Sequence, residues 1–126
     1  MSAININHIN IRVPNDLLNT VRDFYCGALG LQVGFRPNFG SQGFWLYAGE
    51  NALIHLSICS KDDLRPIDVK NTLDHVAFNC ENQRTMCDKL TAMGMQFSVN
   101  QVPDSPIRQV FFYDPAGNGM ELSFVD

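Results

Sequence analysis

Apolar and polar residues alternate along Ile4 to Val13 and again along Leu73 to Cys80, and this period of two predicts an opening strand at each place. Each is followed by apolar residues at i, i+3, i+4 spacing, which predicts helices over Leu17 to Leu29 and Asn82 to Met93. Leu18, Val21, Phe24, Tyr25 and Ala28 form the stripe of the first helix; Met86, Leu90 and Met93 form that of the second. Gly30 and Gly94 stand just past the two ends as left-handed terminators. Further strands are predicted over Gln32 to Arg36, Gly43 to Ala48 and Ala52 to Cys59, then over Gln96 to Val102, Arg108 to Asp114 and Gly119 to Val125. The run Asp114-Pro115-Ala116-Gly117-Asn118-Gly119 is a dense turn signal joining the last two strands, and Gly49-Glu50-Asn51 holds the equivalent place in the first half.

The two halves also match residue by residue. His8-Ile9-Asn10-Ile11-Arg12-Val13 is similar to His75-Val76-Ala77-Phe78-Asn79-Cys80, Gly30-Leu31-Gln32-Val33 to Gly94-Met95-Gln96-Phe97, and His55-Leu56-Ser57-Ile58 to Glu121-Leu122-Ser123-Phe124. Three matches in order, at a nearly constant separation of roughly 65 residues, predict a tandem duplication. Module one is expected over about 4–59 and module two over about 73–126, with a polar connector at about 60–72, all within one domain 1–126.

Composition narrows the function classes. A chain of 126 residues with 45% hydrophobic and 17% charged residues supports a core without staples. Any metal is therefore expected to be functional before structural. A net charge of −4, with the basic residues scattered singly, argues against nucleic acid as a partner. No apolar stretch has the length of a membrane span, and Ser2 to Asn7 lacks the blocks of a signal peptide, so the expected compartment is the cytoplasm. Cys26, Cys59, Cys80 and Cys87 lie in apolar segments without CxxC spacing and are expected to be buried, reduced thiols.

Strand parity then groups the chemistry. Ile9, Ile11 and Val13 share one face of the opening strand, and His8, Asn10 and Arg12 share the other; in module two Val76, Phe78 and Cys80 oppose His75, Ala77 and Asn79. Ile54, Leu56 and Ile58 likewise face away from His55 and Ser57, and Met120, Leu122 and Phe124 face away from Glu121 and Ser123. If the first and last strands of each module are neighbours, His8 lies beside His55 and His75 beside Glu121. All three histidines of the chain and one glutamate thus occupy matching positions on the face turned from the helices. Three imidazoles and a carboxylate suit Zn, Mn, Fe(II), Co or Ni with positions left open. Trp45, Tyr47, Phe111 and Tyr113 fall on the same parity and are candidates for a cavity wall or an interface; Asn10, Arg12 and Gln109 are candidate polar anchors.

With His8 and His75 opening the two halves and Asp114-Pro115-Ala116-Gly117 followed by Glu121-Leu122, the chain resembles the vicinal oxygen chelate superfamily, which includes glyoxalase I, fosfomycin-resistance proteins, extradiol dioxygenases and bleomycin-resistance proteins. The resemblance spans essentially the whole chain. It implies an α+β fold in which two tandem βαβββ modules form a curved mixed sheet around a metal-binding cleft, with helices on the outer face. It implies one divalent metal per site, held at His8, His75 and Glu121, with His55 where relatives often carry a fourth ligand, Glu or Gln. It also implies a homodimer whose sites are shared between subunits, and a small-molecule substrate with two adjacent oxygens. Glu121 is then both ligand and base in a glyoxalase-like lyase or isomerase, and His55 is a fourth ligand, an acid or base, or a pocket residue. The alternatives are an Fe(II) extradiol-type dioxygenase, for which the further histidine between His75 and Glu121 is absent, and a ligand-sequestering protein of the bleomycin-resistance type.

Overall fold

A computed structural model describes residues 1–126 and divides them into two compact units, Met1–Pro66 and Ile67–Asp126. In the first, the alternation of Ile9, Ile11 and Val13 forms β1 (Ile9–Val13), which leads through a 3-10 turn (Asn15–Leu17) into α1 (Leu18–Leu29). Three strands follow: β2 (Gln32–Gly34), β3 (Gly43–Ala48) and β4 (Asn51–Ile58). They make a four-stranded mixed sheet in the order β1-β4-β3-β2, with β1 parallel to β4 and the other pairs antiparallel. The second unit repeats this plan with β5 (Val76–Cys80), α2 (Gln83–Ala92), β6 (Ser98–Gln101), β7 (Arg108–Tyr113) and β8 (Gly119–Phe124), in the order β5-β8-β7-β6. The fold is therefore α+β with one separate mixed sheet per module.

In unit one the core lies between α1 and one face of the sheet, and in unit two the buried side chains again fall on one face of the strands and one side of α2. Leu18, Val21, Phe24, Tyr25 and Ala28 of α1 are buried, as are Ile11, Val13, Leu46, Ile54 and Leu56 of the first sheet. In unit two Met86 and Leu90 of α2 are buried, as are Val110, Phe112, Met120, Leu122 and Phe124 of the second sheet. Burial of these side chains is the main stabilising term, and its alternation fixes which residues remain on the opposite face. Gly30 ends α1 in the left-handed conformation (φ 69°), and the Asn82 side chain caps α2 by accepting from the Thr85 amide at 3.2 Å.

Three expectations are corrected. The opening strands are shorter than their alternation suggests: Ile4 and Ile6 are 95% and 84% exposed, and the ladder begins at Ile9 paired with Ile54. Met93 leaves the apolar stripe because it is the residue at which α2 ends, and it remains exposed. All four cysteines are free thiols but only half-buried; burial raises the Cys26, Cys80 and Cys87 thiols above their ordinary values and keeps them protonated. No helix is long and apolar enough to cross a membrane.

Candidate functional site

In unit one the parallel ladder sets Asn10 opposite His55, and the antiparallel ladder sets Trp45 opposite His55. His8 lies one residue ahead of β1, diagonal to His55, with the two rings 6.5 Å apart. Trp45 connects them: it stacks on His55 at 4.5 Å with planes 7° apart, and meets His8 edge-on at 4.7 Å. Parity thus brings His8, Trp45 and His55 to one face. Tyr47 stands over Gly34, and its hydroxyl donates to the Phe35 carbonyl at 3.1 Å.

The polar candidates of this face are engaged with one another. Asn10 donates to the His55 carbonyl at 3.1 Å and accepts from the Ser57 hydroxyl at 3.2 Å. Arg12 donates to Ser57 Oγ at 3.3 Å and pairs with Asp63 at 2.8 Å. Periodicity missed Arg36 and Phe39: Arg36 Nε donates to His55 Nε2 at 3.4 Å, and its guanidinium lies 4.8 Å from the Phe39 ring centre. An imidazole that accepts through Nε2 carries its proton on Nδ1. Burial, then the charges of Arg36, His8 and Arg12, pushes His55 below the usual imidazole value.

Unit two presents a carboxylate in place of the second histidine. Ala77 is opposite Glu121 in the β5–β8 ladder, so His75, one residue ahead of β5, is diagonal to Glu121 and its Nε2 lies 3.4 Å from Glu121 Oε1. Glu121 is buried, and Gln109 Nε2 donates to its Oε1 at 2.9 Å; Asn100 donates in turn to Gln109 at 3.0 Å. Phe111, opposite Glu121 in the β7–β8 ladder, packs edge-on to His75 at 5.6 Å. Next to this group is a cavity of about 380 Å³, lined by Asp74, His75, Gln96, Ser98, Phe111 and Tyr113 among others.

The two opening histidines are held in the same way. His8 Nδ1 donates to Asn7 Oδ1 at 2.6 Å, and His75 Nδ1 donates to Asp74 Oδ2 at 2.8 Å. In the neutral ring each of these hydrogen bonds leaves Nε2 as the lone-pair nitrogen, the form in which imidazole binds a cation. His75 Nε2 and Glu121 Oε1 are then two acceptors facing each other, an arrangement that calls for a shared proton or a cation between them. The His8 imidazole in unit one, and the His75 imidazole with the Glu121 carboxylate in unit two, are each donors of the kind a divalent ion of the Zn or Mn type takes; the His55 lone pair is directed at Arg36. Within neither unit do three His, Cys, Asp or Glu side chains gather into a metal-holding group.

Asn7 and Asp74 were missed although both precede the repeated histidine, and that shared position was the available signal. Gly119 was read only as the junction of the turn with the last strand. A Cβ there would overlap the Asp74 carbonyl and meet His75 Cβ at 3.2 Å, so the bare backbone of Gly119 is what lets His75 sit against the start of β8.

Residues 5–122 match the family model described as Glyoxalase/Bleomycin resistance protein/Dioxygenase superfamily. The chain is 29% identical to Glyoxylase I 4 of Arabidopsis thaliana over 130 residues, covering 96% of this chain and 71% of that protein. Among solved structures it is similar to the fosfomycin resistance protein FosX of Listeria monocytogenes (TM-score 0.69, 18% identity, 98% of this chain and 94% of that one). It is similar as well to lactoylglutathione lyase of Agrobacterium tumefaciens (0.69, 16%, 98% and 96%) and to the antibiotic binding protein TnmS3 of a Streptomyces species (0.69, 18%, 98% and 98%). A mutant of the Listeria protein has been crystallised with Mn(II) and 1S,2S-dihydroxypropylphosphonic acid.

Proposed function

This chain belongs to the glyoxalase/bleomycin resistance protein/dioxygenase superfamily, and from that premise we propose that it is a divalent-metal-dependent enzyme of glyoxalase type acting on a small molecule with two adjacent oxygens. The observation that carries the proposal is the paired preparation of His8 and His75, each with Nδ1 engaged and Nε2 left as a lone pair, together with the Glu121 carboxylate 3.4 Å from His75 Nε2. His8, His75 and Glu121 would hold the ion. His8 belongs to one unit and His75 and Glu121 to the other, and we take the ion to be held between His8 of one chain and His75 and Glu121 of a second in a homodimer, the arrangement that family membership implies.

A bound ion of this kind supplies Lewis acidity, polarising the substrate oxygens and stabilising negative charge on them. The chain's own residues do the rest. Glu121, buried and steadied by Gln109, is the base that takes the proton next to the substrate carbonyl and returns it. His55, with its Nε2 on Arg36, is a neutral imidazole beside the half-site rather than a ligand, available to pass a proton once that contact opens. Trp45 and Tyr47 in unit one and Phe111 in unit two are the apolar side chains that would limit water at their half-sites, and Asn10 and Gln109 are the polar contacts each would offer the substrate. Four free thiols fit a reducing, cytoplasmic compartment.

Purified protein loaded separately with Ni, Co, Mn, Zn and Fe(II) is to be assayed on a 2-oxoaldehyde hemithioacetal and, under oxygen, on catechols. Turnover of the hemithioacetal or a related 2-oxo substrate with a non-redox ion, lost in Glu121→Gln, is the expected result. Oxygen uptake with Fe(II) alone would assign the chain to the dioxygenase class. Tight binding of small organic ligands with no metal uptake would assign it to the sequestering class.

A further inference from the structure

Two arginines border the histidines of unit one, and their partners differ. Arg12 is committed: Nη1 pairs with Asp63 at 2.8 Å and Nε donates to Ser57. Asp63 is itself shared with Arg65, so the carboxylate within reach of this cluster is already used twice. Arg36 takes part in none of the ion pairs of the chain.

Arg36 is nevertheless held in place from several sides. Its Nε donates to His55 Nε2, its Nη1 donates to the Ser41 carbonyl at 2.8 Å, and the Phe39 ring lies under its guanidinium. Gly43 lies beneath it. A Cβ at that position would run first into the Leu56 carbonyl and would also meet Arg36 Nη2 at 2.8 Å and Cζ at 2.9 Å, so the guanidinium rests against bare backbone. The side chain is half-buried, and most of its five N–H donors remain uncommitted. A half-buried guanidinium held in one orientation, in no ion pair and in contact with the His55 ring, places an unpaired positive charge on this face of unit one.

We infer that Arg36 is the specificity-determining residue of this half-site, anchoring a small oxyanion group, carboxylate or phosphonate, of the substrate. The inference rests on the proposed function for the identity of the reacting half of that substrate. His55 touches Arg36 and stands 6.5 Å from His8, so an anion docked on the guanidinium is within one small molecule's length of a proposed ligand. Arg12 does not serve in this way because its charge is already paired with the Asp63 carboxylate. The substrate class is then a small acid bearing adjacent oxygens, rather than a neutral aldehyde or diol.

The chain carries its own reporter, since Trp45 is the single tryptophan and stacks on the imidazole that Arg36 contacts. Metal-free protein is titrated with inorganic phosphate and separately with acetate, with chloride holding ionic strength constant, while Trp45 fluorescence is followed. A saturable change with at least one anion is expected, phosphate standing for a phosphonate-like group and acetate for a carboxylate. Arg36→Met should weaken that response about tenfold or more, while Arg22→Met, the same charge change on α1, leaves it unaltered. If circular dichroism finds Arg36→Met unfolded, Arg36→Lys decides; it keeps the charge, loses the planar fork, and should still weaken the response about threefold. A response in the wild type that never saturates, or equal affinity in the wild type and the folded Arg36 variant, overturns the inference. Since metal is absent throughout, loss of metal binding with an intact anion response would count against the proposed function alone.

Discussion

His75 Nε2 faces Glu121 Oε1 across 3.4 Å while the opposite ring nitrogen, Nδ1, is fixed by Asp74 at 2.8 Å. The Asp74 carboxylate only accepts, so it selects the tautomer that aims a lone pair at Glu121. Asp74→Ala should therefore lower divalent-metal affinity by about 10- to 100-fold with little effect on folding, because Asp74 is exposed. Calorimetric titration with Mn(II) or Zn(II) checks this; unchanged affinity would remove Asp74 from the site.

Gly119 acts on the same histidine through space rather than through a hydrogen bond. The Cβ of Gly119→Ala would run into backbone, the Asp74 carbonyl, which has no rotamer with which to move away. Denaturant unfolding should show a loss of about 1–3 kcal/mol, and metal affinity should fall with it. Full stability in Gly119→Ala would mean that the close approach is not required.

Asp114 organises the turn that delivers β8 and Glu121. Its buried carboxylate accepts from the Ala116 amide at 2.9 Å, the Asn118 amide at 2.8 Å and the Asn118 side chain at 3.0 Å. Asp114→Ala leaves these donors in need of new partners and should cost about 2 kcal/mol in urea unfolding. A change below about 0.5 kcal/mol would show that the turn holds without it.

These positions mark how far the sequence could be read. The duplication, the order of elements and the face carrying His8, His55, His75 and Glu121 followed from period and parity, because a sheet buried on one side forces alternation. Alternation at Ile4 and Ile6 misled, since a strand also needs a partner and the β1–β4 ladder stops at Ile9. Arg36 and Phe39 escaped because Arg36 to Ser41 has no period; the conformation of such a stretch is set by what it packs against, here His55 and Gly43. Arg12 was legible as a polar residue on the correct face, but not its engagement by Asp63, which lies in the connector after β4.

Asp63 also supplies a pH signature. Hydrogen bonds from Arg65 and then Arg12 pull its carboxyl down to about 2 from its ordinary value of 3.8. A depressed carboxyl contributes stability that is present above the unfolded value and is lost as pH falls through the folded one, so the interaction weakens between about pH 4 and pH 2. Carboxyl-carbon NMR should place the Asp63 midpoint near 2. In Arg65→Ala it should move up toward the ordinary value, and an Asp63 midpoint already there in the wild type would contradict the paired geometry.

The most direct measurement for the whole account is metal stoichiometry by equilibrium dialysis and elemental analysis on tag-free protein, alongside the His8→Ala, Glu121→Ala double mutant. About one divalent ion per chain is expected in the wild type and none in the folded double mutant. A folded wild-type protein that takes up no divalent ion, or a double mutant that binds as tightly as the wild type, would contradict it.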